Sequence, residues 1–252
     1  FFANDGQVPE LGRRLRYPQL VKLIVEAFDE LPLQDIPRKP RIGLTGEILV
    51  KFHPDANNQI VNIIESEGAE AVMSGLLDFF LYSFSNIRWN SENIGATKTN
   101  PFWSTALVRL LEWYRKPVMR ALNQTGGKFP MPEPIERTAA RAEKVLSRGN
   151  ACGEGWYLTG EMLDMIEHGV PNIICAQPFA CLPNHVTGKG MVKELRRLYP
   201  QANIVPIDYD PGASEVNQLN RIKLMVSAAF TNHEQNEINE TIAEKAKRSE
   251  PK

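Results

Sequence analysis

Between Cys175 and Gly190 the chain reads CAQPFACLPNHVTGKG, directly after the apolar run NII. Two thiols, an imidazole and a Gly-Lys-Gly within one loop admit three chemistries: nucleophilic catalysis, metal ligation and anion binding. Cys181 with His185 has the composition of a thiol and its base, but such pairs are set by geometry in space, and a local C-x-x-x-H specifies little. Cys175, Cys181 and His185 lack the paired C-x-x-C or H-x-x-x-H spacing of a zinc site. A Walker loop needs Gly-Lys followed by Ser or Thr, whereas Gly188-Lys189 is followed by Gly190, and no G-x-G-x-x-G follows a strand. The Gly-Lys-Gly still opens an expected helix, where free amides can hold an anion, or it is simply a flexible turn.

Other residues compete for the same roles. Cys152 lies in NACGEGW, next to Gly153 and Gly155 and just ahead of an expected helix, a position that favours thiolate or serves a plain turn. Cys175 is expected inside a strand, where cysteine behaves as a small hydrophobe. His53 and His185 read as loop histidines with local hydrogen bonds. DYDPGASEVN, from Asp208 to Asn217, is a strand end, a turn and a helix cap, suited to structure or to a contact at the helix start. Lys189, Lys193, Arg196 and Arg197 read as a solvated face.

These loops need strands and helices to hold them. RIGLTG, AEAVMSG, NIICA and ANIVPID are short apolar runs separated by helical patterns, which specify parallel strands covered on both faces. The expected fold is α/β: a small doubly wound, mainly parallel sheet in the order 2-1-3-4 with a helical insertion at 76–148. The expected boundaries are a helix and proline-rich linker at 1–40, the α/β domain at 41–230 and a polar tail at 231–252, frayed or disordered. The first helix is expected from Glu10 to Leu31. The clearest helix of the insertion carries Leu107, Leu110, Leu111 and Tyr114 on a stripe expected to be buried, with a bend at Pro117. In this strand order the switch point lies between the first and third strands, where ligands bind at the carboxyl ends. The loop after Gly46-Glu47 and the Cys181 loop meet there.

Composition narrows the function classes. The 252 residues carry 29 basic and 30 acidic side chains and are 42% hydrophobic, the mix of a globular protein. No basic surplus points to nucleic acid, and no apolar run is long enough to span a bilayer. Three cysteines at uneven spacing do not form a secreted disulfide framework, so a reducing cytoplasm is expected. The chain begins at Phe1, so a piece of a longer product is expected.

GEGWYLTGEM, NIICAQPFACLPNHVTGKGMVKELRRLYPQANIV and IDYDPGASEVNQLNRIKLM closely resemble the last part of the large acyl-CoA dehydratase activase-related proteins, relatives of the 2-hydroxyacyl-CoA dehydratase component and of double-cubane iron–sulfur proteins. RIGLTGEILVKF resembles the family's strand and Gly-Glu turn. The resemblance covers 41–230, dense over 153–226 and thin across the insertion. It implies a cytoplasmic iron–sulfur protein in which an ATP-driven activator passes a low-potential electron to a [4Fe–4S] cluster, used by the dehydratases to expel hydroxide from an acyl-CoA. The family's cluster cysteine falls on Cys181. Cys152 is a second candidate ligand, and Gly46, Glu47, Gly188, Lys189 and Gly190 are candidate cofactor contacts. A [4Fe–4S] cluster takes four ligands. The isolated chain is therefore expected to lack a complete cluster, and the resemblance implies that the other ligands lie in a preceding α/β domain, with the ATPase domain also elsewhere in the same protein. An acyl-CoA substrate and a homodimer are compatible with this picture; nucleic acid and membrane partners are not expected. The alternative is a metal-free module that docks CoA or the activator.

Overall fold

The computed structural model describes residues 15–95, 101–210 and 212–249, with side chains described as far as Glu234. The start of the expected first helix at Glu10, part of the insertion, the proline of the Asp-Pro-Gly turn and the last residues of the tail lie outside the described residues.

Four parallel strands form one sheet in the order expected from the sequence: β1 (Arg41–Gly46), β2 (Glu70–Met73), β3 (Asn172–Pro178) and β4 (Asn203–Tyr209), arranged β2-β1-β3-β4. Leu44 stands beside Ile174, and Ile174 beside Val205, so apolar side chains line up across the centre. Helices cover both faces, which is why the central strands read as continuous apolar runs rather than as alternation.

In chain order the helices are α1 (Tyr17–Asp29), α2 (Ile48–Phe52), α3 (Ile60–Ser66), α4 (Leu76–Asn93), α5 (Pro101–Asn123), α6 (Ile135–Ala142), α7 (Trp156–Glu167), α8 (Val192–Leu198) and α9 (Glu215–Ser249). On one face, Ile60 and Ile64 of α3 and Ile222, Met225 and Val226 of α9 pack on Ile42, Leu44 and Ile174. On the other, Met162, Leu163 and Ile166 of α7 and Leu195 of α8 pack on Ile173 and Ile204. A third cluster joins the inserted helices to α7: Leu81 and Tyr82 of α4 and Ile135 and Ala139 of α6 meet Trp156 and Tyr157. Nearly all of α7 is buried because it is packed between the sheet and the insertion.

The structure corrects two expectations. Leu110 and Tyr114 of α5 are exposed, at 55% and 51%; the residues that α5 buries are Ser104, Arg115 and Ala121. Arg115 can turn inward because it pairs with Asp78 of α4. Pro117 lies inside α5, in the helix where the sequence placed it. At the polar tail, expected as a frayed helix or disordered, α9 continues to Ser249. The second correction is that Gly188-Lys189-Gly190 does not open an α-helix. A π-helical turn over Asn184–Gly188 leads into a 3₁₀ turn over Lys189–Met191, and only then does α8 begin.

Candidate functional site

The carboxyl ends of β1 and β3 are adjacent, and the chain crosses over in opposite directions from them. Gly46 closes the gap: its φ is +139°, and a Cβ there would lie 1.8 Å from the Ala176 carbonyl oxygen of β3. Only glycine permits that approach. The Glu47 amide then donates to the same carbonyl at 2.9 Å, and the Glu47 carboxylate accepts from the Val50 amide at 2.8 Å. Glu47 is thus the N-cap of α2.

On the β3 side the loop turns through Ala180 at φ +60°, a conformation that alanine adopts only under constraint. The Cys181 amide donates to the Pro178 carbonyl at 3.2 Å, and the His185 amide donates to the Cys181 carbonyl at 3.0 Å. His185 Nδ1 lies 3.0 Å from that same carbonyl oxygen, which makes His185 a local partner of the loop backbone and not a base for the thiol. Fully buried Asn184 lies between two cysteines: its Nδ2 donates to Cys181 Sγ at 3.2 Å, and its Oδ1 is 3.9 Å from Cys175 Sγ. The two thiols differ sharply. Cys175 is wholly buried, and burial, reinforced by the Glu161 carboxylate, pushes its pKa up to about 12. Cys181 is half-buried and Cys152 is exposed.

Cys152 sits on the turn before α7. The Tyr82 hydroxyl of α4 donates to the Gly153 carbonyl at 2.9 Å, and the Trp156 indole donates to Asn86 at 2.7 Å. A Cβ on Gly153, at φ +58°, would come within 2.8 Å of Pro183 Cγ. The Cys152 and Cys181 loops are therefore in contact. Gly188 is buried against Cys175. The Lys189 amide already donates to the carbonyls of Asn184 and His185, and its ammonium lies 3.6 Å from Asp208 Oδ2. The Gly-Lys-Gly segment is committed to its own turn and to β4.

A polar knot that sequence reasoning missed lies beneath the β1 side. Glu161 of α7 accepts from Lys51 of α2, from Ser74 after β2 and from Thr45 of β1. Lys51 also donates to Ser74 Oγ at 2.7 Å, and the Tyr157 hydroxyl is 3.4 Å from that oxygen. Lys51 and Glu161 are 4% and 3% exposed. Burial, then the Glu161 carboxylate, holds the Tyr157 phenol well above its usual range. The knot ties β1, β2 and α2 to α7, and so fixes the helix that carries the Cys152 turn. The available signal was a lysine and a glutamate inside otherwise apolar helices, ILVKF and WYLTGEMLDMI.

Among the described residues, Glu133, Asp164 and His168 form the only group of three or more acidic, histidine or cysteine side chains whose ligand atoms lie within 4.8 Å of one another. The Arg141 guanidinium already holds it, 2.7 Å from Asp164 and paired with Glu133, at the opposite end of α7 from Cys152. No described helix is long and apolar enough to cross a membrane. No family model matches the chain, and comparison with curated proteins and with solved structures gives no match.

Proposed function

We propose that this chain forms one wall of an iron–sulfur centre in a cytoplasmic protein of the 2-hydroxyacyl-CoA dehydratase and activase type, with Cys181 and Cys152 as its thiolates. The observation that carries this reading is the sorting of the three cysteines: two accessible thiols stand on touching loops at the switch point, and the third is sealed in the strand. A [4Fe–4S] cluster needs four ligands, and the exposed Cys152 and half-buried Cys181 would supply two of them. The remaining ligands come from a neighbouring α/β domain. When bound, such a cluster supplies low-potential electrons for acyl-CoA dehydration. The chain's own contribution is positional. Asn184 offers an N–H to the Cys181 sulfur, a hydrogen bond that a cluster-bound sulfur would also accept, and the knot holds α7 so that the Cys152 turn stays against Pro183.

Metal-free docking of CoA or an activator is the second reading. Phe179, Leu182 and Val186 lie on the same stretch of chain as Cys181 and are 69%, 72% and 46% exposed, apolar surface suited to a partner.

Anaerobic iron and sulfide analysis of the full-length protein separates the two. Cys181→Ser and Cys152→Ser should each lower cluster content, and Cys175→Ser should leave it in place while reducing stability. Full iron and sulfide in both accessible-cysteine variants, or none in the wild type, would favour the metal-free module.

A further inference from the structure

The inserted helices α4, α5 and α6 line a cavity in which none of the three cysteines takes part. Its volume is 120 Å³. Cavities of about 150 Å³ take a molecule the size of benzene, so this one holds a ligand of about six heavy atoms. Phe84 of α4 and Val108 of α5 supply apolar wall. Each is followed by polar residues on the same side of its helix, because residues one turn apart share a face. Ser85 and Arg88 of α4 and Arg109 of α5 line the cavity in this way, and Glu136 of α6 completes the polar side. A small pocket with apolar walls and a few polar groups is the usual form of a ligand site.

The polar groups are matched except in two places. Arg88 pairs with Glu92 at 2.9 Å, and Glu136 pairs with Arg148 at 3.3 Å. Arg109 has neither an ion pair nor a hydrogen bond with another described residue. Ser85 is 4% exposed, and its oxygen accepts from the Arg148 guanidinium at 2.6 Å. The Ser85 hydroxyl proton meets no acceptor among the described residues, although a buried hydroxyl ordinarily donates as well as accepts. Arg109 lacks one negative charge, and Ser85 lacks one acceptor oxygen. A dianion is disfavoured because the Glu136 carboxylate lines the same cavity. We propose that the cavity binds a short-chain monocarboxylic acid, its carboxylate held by Arg109 and Ser85 and its aliphatic chain against Phe84 and Val108. A carboxylate matches the guanidinium fork, and the hydrogen bonds it accepts there are charge-assisted. The site is independent of the iron–sulfur reading.

Titration of the full chain with butyrate at neutral pH and constant ionic strength, followed by ligand-observed NMR, tests this. One butyrate should bind per chain, with a dissociation constant on the order of 1 mM. Butyramide, which has the same shape without the charge, and inorganic phosphate should each bind at least tenfold more weakly. Arg109→Gln, at an exposed position, should weaken butyrate at least tenfold with unchanged helical circular dichroism. Ser85→Ala should weaken it several-fold. Arg197→Gln, on α8 and outside the cavity, should leave binding unchanged. Absence of saturable butyrate binding at tens of millimolar would overturn the proposal. So would phosphate or butyramide binding as tightly as butyrate, or an Arg109→Gln chain that binds butyrate like the wild type.

Discussion

The two loops that meet at the sheet's switch point are built to opposite ends. After β1, charged and polar groups turn inward and satisfy one another: Lys51, Glu161, Ser74 and Thr45 close a knot with two nearly buried ions. After β3, the loop turns the apolar side chains of Phe179 and Leu182 outward and keeps the Cys181 thiol half-buried. A buried ion pair gives little net stability over an apolar substitute, but it is costly to half-remove, so it specifies one arrangement of the helices around it. An exposed loop with a constrained backbone contributes little to the core and leaves its side chains available. One rim anchors and the other presents, although the fold gives both the same privileged location.

The largest expected contrast is among the thiols. Iodoacetamide at pH 8 should modify Cys152 and Cys181 in the native chain. Cys175, with its pKa pushed up to about 12, remains a protonated thiol at that pH and is sealed in β3. Its modification should wait for global opening and be slower by on the order of a thousandfold or more, as read by peptide mass spectrometry. Comparable rates at Cys175 and Cys181 would erase the distinction between sealed and presented thiols.

Next in size is the knot. Glu161→Ala strands the Lys51 ammonium in the interior and should cost about 3–5 kcal/mol in urea unfolding. Combining Lys51→Met with Glu161→Leu should recover most of that loss, because the cost arises from the unpaired ion and not from the missing pair. On the opposite rim, Asn184→Ala should cost less, about 1–3 kcal/mol, since it removes a buried amide whose partners are sulfur atoms. It should also make Cys181 alkylate faster. A loss at Asn184 equal to that at Glu161 would mean that both rims anchor. The smallest effect is expected on the insertion's outer face, where Leu110→Ala should change the monomer's stability by under about half a kcal/mol.

Much of the sheet was legible because its signal is local. RIGLTG and NIICA are uniformly apolar and bounded by turn residues, and the handedness of parallel crossovers leaves few strand orders. Burial of Cys175 was legible for the same reason, and so was the loop at the end of β3, since proline and glycine mark a strand end wherever they occur. The stripe through Leu107, Leu110 and Leu111 was misassigned in part, because periodicity shows that a helix has an apolar side without saying what covers it. α5 spends its inward positions on Ser104, Arg115 and Ala121 and keeps Leu110 outside.

The strands, their parallel order and the place where two loops converge were set by patterns a few residues long and by chain chirality. The folded packing alone settled that the Lys189 amide is already used and that Lys51, Ser74, Thr45 and Glu161 form one cluster. Those groups are separated by up to 116 residues along the chain. Their pairing follows from burial. An ion or hydroxyl removed from water must find a partner in the space around it, and the folded packing, not the neighbouring sequence, supplies that partner.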